Sequence, residues 1–163
     1  MAARSNPIIL ELRRSLDVAG KEVKLLHQTR ERLFHGAESV DAGWVKRTAA
    51  DVELSERLEA FSARFARLQD TVMDKLLPRL LAAAGEPINS AIDNLNRADR
   101  LGLVERPDEW IALRQLRNRL VHEYMEDAEE FASVLNVVLR LSGELIEAVG
   151  RIRLFAEGRF ENA

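Results

Sequence analysis

The segment Asp51-Val52-Glu53-Leu54-Ser55-Glu56-Arg57-Leu58-Glu59-Ala60-Phe61-Ser62-Ala63-Arg64-Phe65-Ala66-Arg67-Leu68 opens the longest regular pattern in the chain. Its apolar residues Leu54, Leu58, Phe61, Phe65 and Leu68 recur at three and four and continue through Val72, Leu76 and Leu80. That spacing places them on one stripe of an α-helix and leaves a charged opposite face. A stripe of this length needs partner helices to cover it, so the segment predicts an α-helical bundle. Pro78 is expected to kink or end the helix, because it lacks the N–H that the helix needs. Arg57, Arg64, Arg67 and Asp74 share a second face. They read either as a solvated face with local ion pairs, or as arginines that flank a nucleic-acid groove or pair with acids elsewhere.

Upstream, Asn6-Pro7 caps a first helix running to about His35, with Ile8, Leu12, Leu16, Ala19, Val23, Leu26 and Leu33 as its inner stripe. Gly36 to Gly43 reads as a loop, and Trp44 to Ala50 as a short helical turn that lays Trp44 on the bundle. Downstream, Ile88, Ile92, Leu95 and Ala98 suggest a short helix ended by Gly102. Asp127 and Glu130 form a capping pattern for a last helix carrying Phe131, Val134, Val138, Leu141, Leu145, Val149 and Ile152. The tail from Gly158 is expected to fray. There is no strand alternation and no repeat, so the fold class is all-α: an up-and-down bundle of four to five helices, four of them long.

At 163 residues the chain fits a single domain, 1–163, with a core over 7–157. Such a domain buries roughly 70% of its unfolded surface. Cysteine is absent, which excludes a disulfide framework and a thiolate metal site. No signal peptide and no apolar run of membrane-spanning length is recognised, so a cytoplasmic protein without a membrane partner is expected. Net charge is −3, so no global basic field draws in nucleic acid. Of 24 basic residues only Lys21, Lys24, Lys46 and Lys75 are lysines. Arginine suits bidentate phosphate contacts, although a GC-rich coding sequence would give the same bias.

The chemistry concentrates at 107–125. Pro107-Asp108-Glu109 opens a helix with proline at the first position and acids at its positive end. Carried forward, that helix aligns Trp110, Leu113, Arg117, Leu120 and Tyr124 on one stripe. Arg117 therefore holds a slot meant for an apolar side chain, and it must be paired, edge-exposed or kept for chemistry. Asn118 lies four residues before His122, where its amide could orient the imidazole. Arg117 and His122 are five apart, about 140° round a helix. They converge only if the helix ends near His122 or if a second copy of the chain supplies one of them. Elsewhere, His27 and His35 are too far apart for a helical metal pair. Glu126, Asp127, Glu129 and Glu130 sit where a helix start wants negative charge. Phosphate-cradling glycine loops and nucleophile elbows are absent.

Arg117-Asn118 followed by His122-x-Tyr124 resembles the Arg-x4-His-x-Tyr signature of the HEPN superfamily, in particular its HepT-like branch. The likeness extends through Arg64-Phe65-x-Arg67-Leu68-Gln69-Asp70, Asp74-Lys75-Leu76-Leu77-Pro78 and Leu101-Gly102-Leu103 to Trp110, about the central half of the chain. The resemblance implies a HEPN-like bundle and a toxin of a toxin–antitoxin pair. It implies metal-independent endoribonuclease activity needing no cofactor, at a site assembled across a homodimer. His122 and Arg117 would be the catalytic residues, supported by Asn118, with Arg64, Arg67, Arg114 and Arg119 as weaker RNA contacts. Leu120 and Trp110 would lie at or beside the dimer interface. A minimal nucleotidyltransferase partner would silence the enzyme by transferring AMP to Tyr124. Two other classes stay open: a non-catalytic subunit presenting a substrate to a nucleotidyltransferase, and a purely structural dimeric bundle.

Overall fold

The structure, a computed structural model, describes residues 6–122 and 126–160, and within the helix ending at His122 it describes the side chains as far as Arg117. All regular secondary structure among the described residues is helical, with no strand. Helix α1 (Pro7–Phe34) starts where the side chain of Asn6 accepts the Ile8 N–H at 3.0 Å, and it stops where His35 turns left-handed with φ +50°. Helix α2 (Ala42–Ala50) is capped by Asp41, which accepts the Trp44 N–H at 2.7 Å. Asp51 ends α2 and caps α3 (Val52–Thr71) through the Leu54 N–H at 2.9 Å. These short polar side chains satisfy first-turn donors that the helices leave unpaired.

Pro78 does not end the helical column. A π turn (Val72–Leu76) joins α3 to α4 (Leu77–Ala83), and the Leu77 N–H reaches back to the Val72 carbonyl. Proline cannot donate to the carbonyl four residues earlier, and its ring would strike it. The wider turn just before Pro78 relieves that conflict. Helix α5 (Ala91–Arg100) follows a Ser90 cap, α6 is Pro107–His122, and α7 (Ala128–Phe160) is capped by Asp127.

Four long helical columns alternate in direction. Thr29 meets Arg64 and Ser15 meets Arg79, so α1 and the α3–α4 column are antiparallel. Arg153 of α7 lies over Gly20 of α1, and Arg30 of α1 lies by Gly143, so α1 and α7 also oppose each other. Asp70 and Asp74 face Arg117 and Arg114 in the same descending-against-ascending order, which sets α6 against α3. Trp110, Phe61, Phe65, Leu68, Leu76, Leu135 and Ile152 fill the shared core. Among the described residues no helix is long and apolar enough to cross a membrane.

Several expectations need correction. Ile9, not Ile8, begins the inner stripe of α1: Ile9 is buried and Ile8 is exposed, although both keep a three–four spacing to Leu12. The loop after α1 is shorter than expected, since Asp41 lets α2 begin at Ala42. Ile88 precedes α5 and is exposed. Val134 is half-buried, and Leu135 takes the inner position. The end of α7 is helical through Gly158 to Phe160, whose ring is buried and lines a groove with Ile9, Leu12 and Leu16. The described core therefore runs past 157.

Candidate functional site

The start of α6 is fastened before any site residue is reached. Glu105 donates its N–H to Glu144 at 2.9 Å, and Arg151 donates to the Leu103 carbonyl at 3.0 Å. Trp110 is fully buried and gives its indole N–H to the Glu105 carbonyl at 3.0 Å. Trp110 therefore belongs to this chain's own core. It fixes the rotation of α6, and with it the face carrying Arg114 and Arg117.

Arg117 is paired. Its side chain is 18% exposed and turned onto α3. There Nη1 donates to the Ala66 carbonyl at 3.1 Å and to Gln69 Oε1 at 3.3 Å, while Nη2 donates to Asp70 Oδ2 at 3.0 Å. Gln69 is fully buried, and its Nε2 donates to the Trp110 carbonyl at 2.8 Å. Because that donor is committed to a carbonyl, the amide oxygen must point the other way, at Arg117. The guanidinium keeps its Nε–H without a partner among the described residues. An apolar-stripe position thus accommodates a charge by pairing it with three acceptors across a helix–helix seam.

Arg114, one turn earlier, forms a forked pair with Asp74, with Nη1 on Oδ1 at 2.8 Å and Nη2 on Oδ2. The Asp74 hydrogen bond holds the Arg114 pKa above its ordinary value, so the group stays charged. Asp70 Oδ1 lies between the two arginines, 2.7 Å from Arg117 Nη1 and 3.4 Å from Arg114 Nη2. That oxygen has ion-pair contact but no aligned hydrogen bond. Beside it, on α1, burial pushes the Glu22 carboxyl above its ordinary value, against the opposing pull of Thr71, Arg67 and Lys75.

The other expected contacts separate. Arg64 turns away from this seam, donating to the Leu25 carbonyl at 3.2 Å and to the Thr29 hydroxyl. Arg67 is exposed on α3, facing Glu22 rather than Arg117. Asn118, Arg119, Leu120 and His122 lie on α6 with side chains outside the described residues, and Tyr124 lies outside them altogether. Helix α6 is continuous from Arg117 to His122, so the two stand about 140° and roughly 7.5 Å apart on one axis. Asp127 accepts the Glu129 and Glu130 N–H groups at 3.0 and 3.1 Å, which makes it a helix cap. Among the described residues no group of three or more metal-ligating side chains is gathered. His27 and His35 are both exposed.

The partners of Arg117 were not evident from spacing. Gln69 is the readable signal in hindsight, an amide inside an apolar run at a position the helix buries. Set against known proteins, the chain matches no family model, no curated protein and no solved structure.

Proposed function

We propose that this chain is a cytoplasmic HepT-like endoribonuclease toxin that works as a homodimer without a metal. The observation that supports it best is the setting of Arg117, a guanidinium fixed on one edge by Asp70, Gln69 and the Ala66 carbonyl. A preorganised donor of this kind stabilises charge developing on a phosphate without reorganising during reaction. His122 would take the proton of the RNA 2′-hydroxyl. The 2′-oxygen would then attack phosphorus and expel the 5′-oxygen, which leaves as a hydroxyl by taking a proton from the other copy's His122 acting as general acid. The products are a 2′,3′-cyclic phosphate and a free 5′-hydroxyl.

Regulation would come from a minimal nucleotidyltransferase. It would move the adenylyl group of ATP to the Tyr124 hydroxyl and release pyrophosphate. The added phosphate would place negative charge and bulk where RNA must bind. Purified protein incubated with RNA and a chelator tests the reaction. Cleavage with cyclic-phosphate ends is expected, and Arg117→Ala or His122→Ala should each lose at least ~100-fold in rate. Activity that vanishes with chelator and returns with magnesium refutes it.

One observation favours a second reading. Arg117 is charge-neutralised within its own chain, as expected of a cross-tie in a non-catalytic subunit that serves a nucleotidyltransferase. In that case Arg117→Ala would lower stability, and neither protein would cut RNA.

A further inference from the structure

Two guanidiniums from one face of α6 converge on a single oxygen, Asp70 Oδ1, at 2.7 and 3.4 Å. Each arginine is also held by groups other than Asp70. Arg117 keeps the Ala66 carbonyl and Gln69 Oε1, and Arg114 keeps both oxygens of Asp74. Removing the Asp70 carboxylate from its slot therefore leaves both cations in place. Oδ1 itself is buried between the two guanidiniums, but the Asp70 side chain as a whole is 41% exposed, so a change of its first side-chain torsion would carry the carboxylate toward solvent. Oδ1 is held by ion-pair contact rather than by an aligned hydrogen bond, and the carboxylate's one hydrogen bond is from Arg117 Nη2 to Oδ2. Two fixed guanidiniums around one oxyanion position form a phosphate-binding geometry.

We infer that Arg114 and Arg117 form a phosphodiester-binding slot, that Asp70 fills it in the free chain as an internal stand-in for phosphate, and that RNA binds by displacing Asp70. Arg114 is thereby a second substrate-contacting arginine, and Asp70 an autoinhibitory contact. Only the identity of the ligand as RNA rests on the proposed ribonuclease reading.

The test is binding of a fluorescent 2′-O-methyl oligoribonucleotide, which carries the phosphates but lacks the attacking hydroxyl. Asp70→Asn should bind roughly two- to fivefold tighter than the native protein, the scale of one partly exposed like charge removed. Arg114→Gln should bind more weakly and flatten the salt dependence by about 0.7 in log–log slope, one phosphate contact fewer. Asp74→Asn, which leaves the α3–α6 seam its other ties, should give a smaller gain and serves if Asp70→Asn folds poorly by circular dichroism. Weaker or unchanged binding by both Asp variants overturns the inference, even if the native protein cuts RNA. Tighter binding by them, with no cleavage of ordinary RNA, supports the slot and refutes the ribonuclease. No binding by native or variant protein overturns the slot.

Discussion

Replacing Gln69 with leucine isolates the amide that joins α3 to α6. Gln69 is fully buried, so water cannot take over either of its hydrogen bonds. Losing the 2.8 Å bond to the Trp110 carbonyl removes about 1 kcal/mol, the usual net worth of a neutral hydrogen bond. The Trp110 carbonyl retains its second lone pair for the helix ladder, which limits the penalty. The bond from Arg117 is charge-assisted but long at 3.3 Å, and Arg117 keeps Asp70 and the Ala66 carbonyl, so it adds about another 1 kcal/mol. Leucine has nearly the same volume and returns part of this through burial. The net expectation is about 1–2 kcal/mol, or about 2–8 °C in melting temperature for a domain of this size. Urea unfolding with an unchanged slope measures it. A double-mutant cycle with Arg117→Leu should show coupling of about 1 kcal/mol. A Gln69→Leu protein as stable as the native one, or zero coupling, would refute the account of how Arg117 is accommodated.

Glu22 has a folded pKa above its ordinary value, chiefly through burial, so its contribution favours the folded state at acid pH and is lost as pH rises through the folded value. Glu22→Gln should therefore be the more stable protein at neutral pH, with the gap closing toward the ordinary carboxylate range; parallel thermal melts from acid to neutral pH check the sign. On α6, Asp108, Ala112 and Gln115 form the exposed stripe. Ala112→Arg should leave the monomer's melting temperature within about 1 °C, as is usual for exposed helix positions. If this stripe faces a second copy, the same change should convert dimer to monomer by light scattering; an unchanged dimer would place the interface elsewhere.

The helices themselves were legible because the sequence states their boundaries in local chemistry. Asn6, Asp51 and Asp127 cap the helices that follow them, and the three–four stripes of Phe61, Phe65, Leu145 and Ile152 point inward as read. The column does not end at Pro78, because a buried run with Leu76, Leu77 and Leu80 on both sides favours continuing through a π turn, whereas the local rule assumes a regular turn before proline. The end of α7 was misjudged for a related reason: Gly158 weakens a helix locally, but burying Phe160 offsets it. At the site, the stripe correctly marked Arg117 as anomalous. Its partners on α3 lie 47 to 51 residues away, and that pairing depends on which faces of two helices meet. Single-helix periodicity cannot supply that.

The geometry of α6 carries a consequence for any reaction using both Arg117 and His122. One end of the problem is fixed: Arg117 is tied to α3 by Gln69, Asp70 and the Ala66 carbonyl, and α3 is itself locked between α1 and α6. Helix α6 cannot rotate to bring the two together, because Trp110 is buried and anchored at its indole nitrogen. Nor does the helix break between the two residues, since it runs unbroken through both. About 140° separates the two backbone positions on this pinned axis, so both reach one phosphate only if the chain turns at the helix end at His122 or if a second copy supplies one of them. If this chain cleaves RNA with these residues and does not turn back at the end of α6, the histidine that serves a given Arg117 comes from a second copy. Catalysis should then fall with dilution below the dimer dissociation constant, and mixing Arg117→Ala with His122→Ala protein should restore activity at one of the two shared sites.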